Sequence, residues 1–205
     1  MQRQPHFRLV ARALGALTLI LGLFLAPAAT AATPLSTAAT GGELSWGVKA
    51  GFRSIVKSNG SITASSGATE QATGFTFGSG AGTVDSDGGI DATFAGRVHF
   101  QAFAGALDLA LANPRLTVSG STGTLYYDVT KAGANTPGVA SATVEAPTRQ
   151  ITSERVVLTN ATVKITEAGA GVFNNMYKAG DTLDPLSATI SIVDGSLAPQ
   201  TPEPP

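Results

Sequence analysis

Few side chains in this chain could hold a metal or move a proton. Cysteine is absent, which excludes thiolate metal sites, thiol nucleophiles and disulfides together. The tyrosines are Tyr126, Tyr127 and Tyr177, and the histidines are His6 and His99. A Ser-His-Asp arrangement would have to use His99, and no Gly-x-Ser-x-Gly turn presents a serine. Asp85-Ser-Asp-Gly-Gly-Ile-Asp91 resembles a calcium loop, but it lacks the EF-hand spacing and closing Glu. Asp-Gly between two apolar runs is the ordinary hairpin signal. Asp181 and Asp184 are explained by a turn before Pro185. These residues supply too few groups for zinc or acyl-transfer chemistry, so the expectation is a protein that is not an enzyme. A two-carboxylate glycosidase is the one enzymatic chemistry left formally open.

The ends of the chain set its expected destination. Arg3, Arg8 and Arg12 precede an apolar stretch from Ala13 to Leu25, which is too short to span a bilayer. Pro27 breaks that stretch, and Ala29-Thr30-Ala31 is a small-x-small cleavage site. Residues 1–31 therefore read as a secretory signal peptide cleaved after Ala31. No Arg-Arg pair marks the twin-arginine route. Losing three arginines moves the formal net charge from −1 to −4. Without a basic patch, nucleic acid is not an expected partner. Residues 32–42 read as a small-residue leader, 43–195 as one domain, and 196–205 as a Pro-rich disordered tail. No apolar span follows the signal, so a secreted, extracellular product is expected.

Between these ends the pattern has one helix candidate and many strands. In the segment Leu44 to Val56, Leu44, Val48, Gly51 or Phe52, and Ile55 recur at helical spacing. Ser58-Asn59-Gly60 supplies a stop. Beyond it the period is two. Val98, Phe100 and Ala102 oppose Arg97, His99 and Gln101, so His99 is expected to face solvent. Leu107, Leu109 and Leu111 alternate, as do Leu125, Tyr127 and Val129, and Tyr127 is expected in the core. Arg155 to Thr166 is the longest strand candidate. Residues 131–138, and the neighbourhood of Ala146-Pro147, read as hairpin tips. The predicted class is all-β: an antiparallel β-sandwich or open barrel with one short N-terminal helix.

The segment Trp46-Gly-Val-Lys-Ala-Gly-Phe-Arg-Ser-Ile55 resembles the W-G-V-K-x-S-F-R-x-Y opening of the HtaA domain, a secreted haem-uptake module of actinobacteria. Phe94-Ala-Gly-Arg-Val-His-Phe100, Gly105 to Leu111, Asn113-Pro-Arg115, Gly123 to Val129, and Val172-Phe-Asn-Asn-Met-Tyr-Lys-Ala-Gly180 continue the resemblance in order along the mature chain. Leu183-Asp-Pro-Leu186 follows. The resemblance implies haem as the cofactor, held by a helix tyrosine that ligates iron and a serine one turn earlier that meets a propionate. A histidine bonded to that tyrosine and a stacking aromatic would complete the site.

At the matching positions this chain has Ile55 for the tyrosine and Gly51 for the serine. Phe100-Gln-Ala-Phe-Ala-Gly-Ala-Leu107 puts Phe103 at the histidine. Phe173, or the neighbourhood of Met176 and Tyr177, would supply the pocket wall. Ile55 and Phe103 have no lone pair for iron. Replacing both members of a buried polar pair by apolar groups is nearly neutral, whereas replacing one costs about 1–3 kcal/mol. The expectation is a refilled site: a drier, greasier pocket or none. Met176 and Tyr177 are the substitute donors. The expected partners are haem, another apolar small molecule, or a protein of the cell envelope.

Overall fold

The computed structural model describes residues 36–145 and 149–193. The expected signal peptide, the expected hairpin tip near Ala146-Pro147 and the expected Pro-rich tail lie outside these residues. The chain order is β1 (Ser36–Trp46), α1 (Ala50–Asn59), β2 (Gly60–Ser65), β3 (Ala68–Gln71), β4 (Gly74–Asp85), β5 (Ile90–Ala95) and β6 (Arg97–Ala102). Then come β7 (Leu107–Ser119), β8 (Thr122–Lys131), β9 (Ala134–Glu145), β10 (Arg149–Ile151), β11 (Arg155–Ile165), α2 (Glu167–Val172) and β12 (Leu186–Ile192). All registered strand pairs are antiparallel.

The pairing path closes on itself. It runs β7-β5-β4-β1-β12-β11-β9-β8 and returns through the β7–β8 ladder, so these strands have no continuous free edge. Closure pairs the N–H and C=O groups that an open sheet would leave along its edges. Alternate residues point inward, and Leu44, Phe75, Phe77, Phe94, Phe100, Leu125, Tyr127 and Ile190 are all buried in one core. Gly96 separates β5 from β6, and the long strand β7 pairs with both. The β6 half then pairs with β2 in place of β4.

Three boundaries differ from the sequence reading. Residues 36–42, expected as leader, lie in β1 and pair with β4 and β12. Leu44 and Trp46 are the buried alternate residues of that strand, so the helix begins only at Ala50. Period two and period 3.6 coincide over so short a span, and pairing on both sides of β1 decided between them. The 131–138 hairpin tip is only Ala132-Gly133, and β9 starts at Ala134. The core parity of β11 changes at a bulge between Leu158 and Ala161, with Val156 and Leu158 buried before it and Ala161, Val163 and Ile165 after it. The second helix, α2, was not anticipated. Its signal is Thr166, whose hydroxyl accepts from Gly169 N at 2.9 Å as an N-cap.

Tyr127 is buried as expected, stacked on Trp46 at 5.7 Å and edge-on to Phe77 at 5.9 Å. Its hydroxyl has no hydrogen-bond partner among the described protein atoms, and burial pushes its pKa well up. An unsatisfied buried hydroxyl costs about 1–3 kcal/mol, so Tyr127→Phe is expected to raise stability by about 1 kcal/mol in chemical denaturation. The sign of the pH effect follows. Below pH ~10 the phenol is protonated in both states; above it the unfolded chain ionises first, so stability falls as pH rises. The variant should lose that alkaline component. Destabilisation by Tyr127→Phe would refute the unsatisfied hydroxyl.

Candidate functional site

The N-terminal helix is tied down at its first turn. Lys49 precedes it without a side-chain cap, and a salt bridge supplies the anchor instead. Arg53 Nη1 bonds Asp184 Oδ2 at 2.7 Å and also donates to Gly47 O. Trp46 Nε1 donates to Asp184 O at 2.9 Å, and Asp184 N donates to Val48 O at 2.9 Å. Asp184, read from sequence as a turn residue, therefore joins the β12 approach to α1. Pairing across 131 positions of sequence has no local signal. At the other end, Asn59 Nδ2 donates to Ile55 O at 2.8 Å.

The helix presents Phe52 and Val56 to the core. Phe52 meets Phe100 at 5.1 Å and Phe173 at 5.3 Å, and Phe173 meets Tyr177 at 5.9 Å. Phe75 closes on Phe100 at 5.7 Å. This buried aromatic chain joins α1, β6 and the segment after α2.

Around it stand the exposed large hydrophobic side chains of the described residues: Ile55 at 45% exposure, Phe103 at 47% and Met176 at 49%. Ile55 lies one turn past Phe52. Phe103 follows Ala102, which pairs with Gly60 at the end of α1. Met176 N donates to Phe173 O at 3.0 Å. The sequence reading left open a drier, greasier pocket or none. Ile55 and Phe103 do not fill a core. Phe52 and Val56 take the core-facing stripe of α1 and leave Ile55 at its edge, half-exposed, and Phe103 follows the buried Ala102 in the short turn Phe103–Gly105, on the side opposite the β6 inner residues by strand alternation. Gly51 lies one turn before Ile55, and a Cβ there would meet nothing within 4 Å. No backbone approach requires this glycine, so it only removes a side chain from the exposed face.

The remaining expected donors divide. Phe173 is buried and structural. Tyr177 is half-buried, and burial together with the Asp184 carboxylate pushes its phenol pKa up. That disfavours the phenolate form needed to ligate ferric haem. His99 Nε2 is taken by Asp108 Oδ1 at 2.6 Å on the outer face of the sheet, consistent with its strand parity. No group of three or more His, Asp or Glu able to hold a metal occurs among the described residues. The side chains at this face therefore do not fit tyrosinate ligation of haem iron; the one exposed donor atom among the three hydrophobics is the Met176 thioether.

The HtaA family (Htaa) matches residues 41–189. The chain belongs to the HtaA family. Its fold is similar to the C-terminal domain of HtaA from Corynebacterium glutamicum, with TM-score 0.68 and 27% identity over 76% of this chain and 99% of that one. The N-terminal domain of the same protein gives TM-score 0.61 and 23% identity over 75% of this chain and 98% of that one. The haem-binding protein HtaB from C. glutamicum gives 0.58 and 19% over 78% of this chain and 97% of that one, a likeness of fold. No curated protein matches the chain. Among the described residues, no helix is long and apolar enough to cross a membrane.

Proposed function

We infer that this HtaA-family chain is an exported, non-enzymatic haem-uptake accessory that meets its ligand through an apolar face in place of an iron ligand. The observation that supports the reading is that Ile55, Phe103 and Met176, each about half-exposed, stand at the positions the family resemblance assigns to the haem site. Exposed apolar surface at a family's ligand position is where a partner is first sought. A flat, apolar macrocycle matches such a face, and its contacts would be area-dependent and indifferent to the metal.

Comparison of two ligands tests this reading. The purified chain is titrated with haemin and with iron-free protoporphyrin. Expected are similar affinities for both, within about threefold, and no tyrosinate-type absorption bands with haemin. Phe103→Asp should weaken both equally by about tenfold, since a carboxylate within the contact must be desolvated. A one-to-one haemin complex much tighter than the porphyrin complex, and lost in Tyr177→Phe or Met176→Leu, would overturn the absence of iron ligation. A second reading, an interaction module docking an envelope protein, is favoured by the same exposed face if neither macrocycle binds.

A further inference from the structure

The outer wall of the barrel carries a concavity of about 390 Å³ that the haem-site reading does not use. A closed antiparallel barrel is convex outside, so a hollow there needs a local cause. Here the cause is irregular pairing on both flanks of one strand. Against β7 the register of β8 shifts between Ala112 and Arg115, and against β9 it shifts between Leu125 and Tyr126 and again between Tyr127 and Val129. Asn113, at φ +48°, sits in the β7 irregularity, and Gly138, at φ +62°, sits in one of the β9 irregularities. Bulges re-aim side chains and cluster beside functional sites.

Both irregularities close on one carboxylate. Asn113 Nδ2 donates to Asp128 Oδ2 at 3.0 Å, and Gly138 N donates to Asp128 Oδ1 at 2.9 Å. Beside it, Arg115 binds Asp91 through two bonds of 2.7 and 2.6 Å, and its guanidinium lies 5.6 Å from the Tyr126 ring centroid. The Arg115 bonds hold the Asp91 carboxyl below the usual range. The hollow thus contains fixed planar donors and acceptors and one aromatic wall.

We propose that this concavity binds a neutral saccharide unit. The charge balance disfavours an anion: Arg115 is neutralised by Asp91, and among the described residues Asp128 lines the hollow with no salt bridge to a cation. Vicinal hydroxyls donate and accept at once, which suits Asp128 as acceptor and Asn113 and Arg115 as donors. The C–H face of a sugar ring suits the Tyr126 ring. Groups held by their own hydrogen bonds pay little ordering cost on binding. The volume falls within the ~300–1,000 Å³ of small-molecule sites.

The test is an isotope-edited NMR titration of the purified chain with neutral disaccharides of glucose and of N-acetylglucosamine, and with inorganic phosphate as the anionic control. Expected are saturable shifts confined to 112–116, 125–129 and 137–140 with at least one sugar and none with phosphate. Tyr126→Ala should weaken binding ~10-fold or more. Tyr126→Phe should retain most of it, with both variants keeping the parent melting temperature. Asn113→Gly keeps the left-handed backbone and should weaken binding through loss of the amide. Sedimentation with insoluble cell-wall glycan separates the sources: co-sedimentation competed by the free sugar assigns a wall polymer, and its absence beside a positive titration assigns a soluble oligosaccharide. No shift with any sugar, shifts at Ile55 and Phe103 only, phosphate binding in the hollow, or equal affinity in Tyr126→Ala would overturn the proposal. The haem titration is a separate measurement, so either reading can fail alone.

Discussion

Changing Ile55 to tyrosine and Phe103 to histidine in the same chain is expected to create a coloured ferric haem complex. The double variant should bind haemin at least tenfold more tightly than iron-free protoporphyrin, a preference the parent should not show. The reason is geometric. Both positions are half-exposed, at 45% and 47%, and neither side chain is wedged into the core. A phenol on α1 and an imidazole after β6 would enter an open face, where an imidazole hydrogen bond favours the phenolate that ligates iron. The tyrosine would project from the helix secured by Arg53 and Asp184. The single Ile55→Tyr change should gain less, because its phenol lacks the neighbour that lowers its pKa. Absorption spectra of the parent, the two single variants and the double variant check this. Equal spectra in all four would mean that the two positions do not share a ligand.

Phe52→Ala should be the most damaging single change on the helix. Phe52 is 1% exposed and links α1 to Phe100 and Phe173. Buried Phe→Ala changes cost about 3–5 kcal/mol, from lost transfer free energy plus the cavity left behind. For a domain of this size, that lowers the melting temperature by roughly 10 °C. The neighbouring Ile55→Ala, on the outer face of the same helix, should stay within about 0.5 kcal/mol. Thermal melts of the two variants separate the inward from the outward face. Limited proteolysis should cut near α1 first in Phe52→Ala, since the helix is held by that aromatic contact and by the Arg53–Asp184 pair. Similar losses in both variants would place Ile55 in the core after all.

The two faces of α1 show what periodicity can and cannot read. Phe52 and Ile55 are both apolar and lie on neighbouring helical positions. An amphipathic count puts either one inside. The choice depends on which element the helix packs against, and Phe100 on β6 and Phe173 after α2 are both distant in sequence. The Arg53–Asp184 anchor and the Asp128 clasp are hidden for the same reason. Each joins segments whose proximity only the closed sheet creates.

From composition and alternation alone come the antiparallel all-β class, a short helix near the N-terminus, the buried Tyr127, the outward His99 and the absence of thiol chemistry. These are local properties: period two, residue polarity and an amino-acid count are written directly along the chain. The ordered motifs from Trp46 to Leu186 likewise carry the family. Closure of the sheet, the pairing of residues 36–42 within β1, the burial of Phe52 and the exposure of Ile55, Phe103 and Met176 were decided only by tertiary structure. Long-range pairing decides register, and register decides which face of each residue meets water. Read through the family resemblance, apolar residues at 55 and 103 suggest a filled cavity; the fold leaves those same side chains half-exposed.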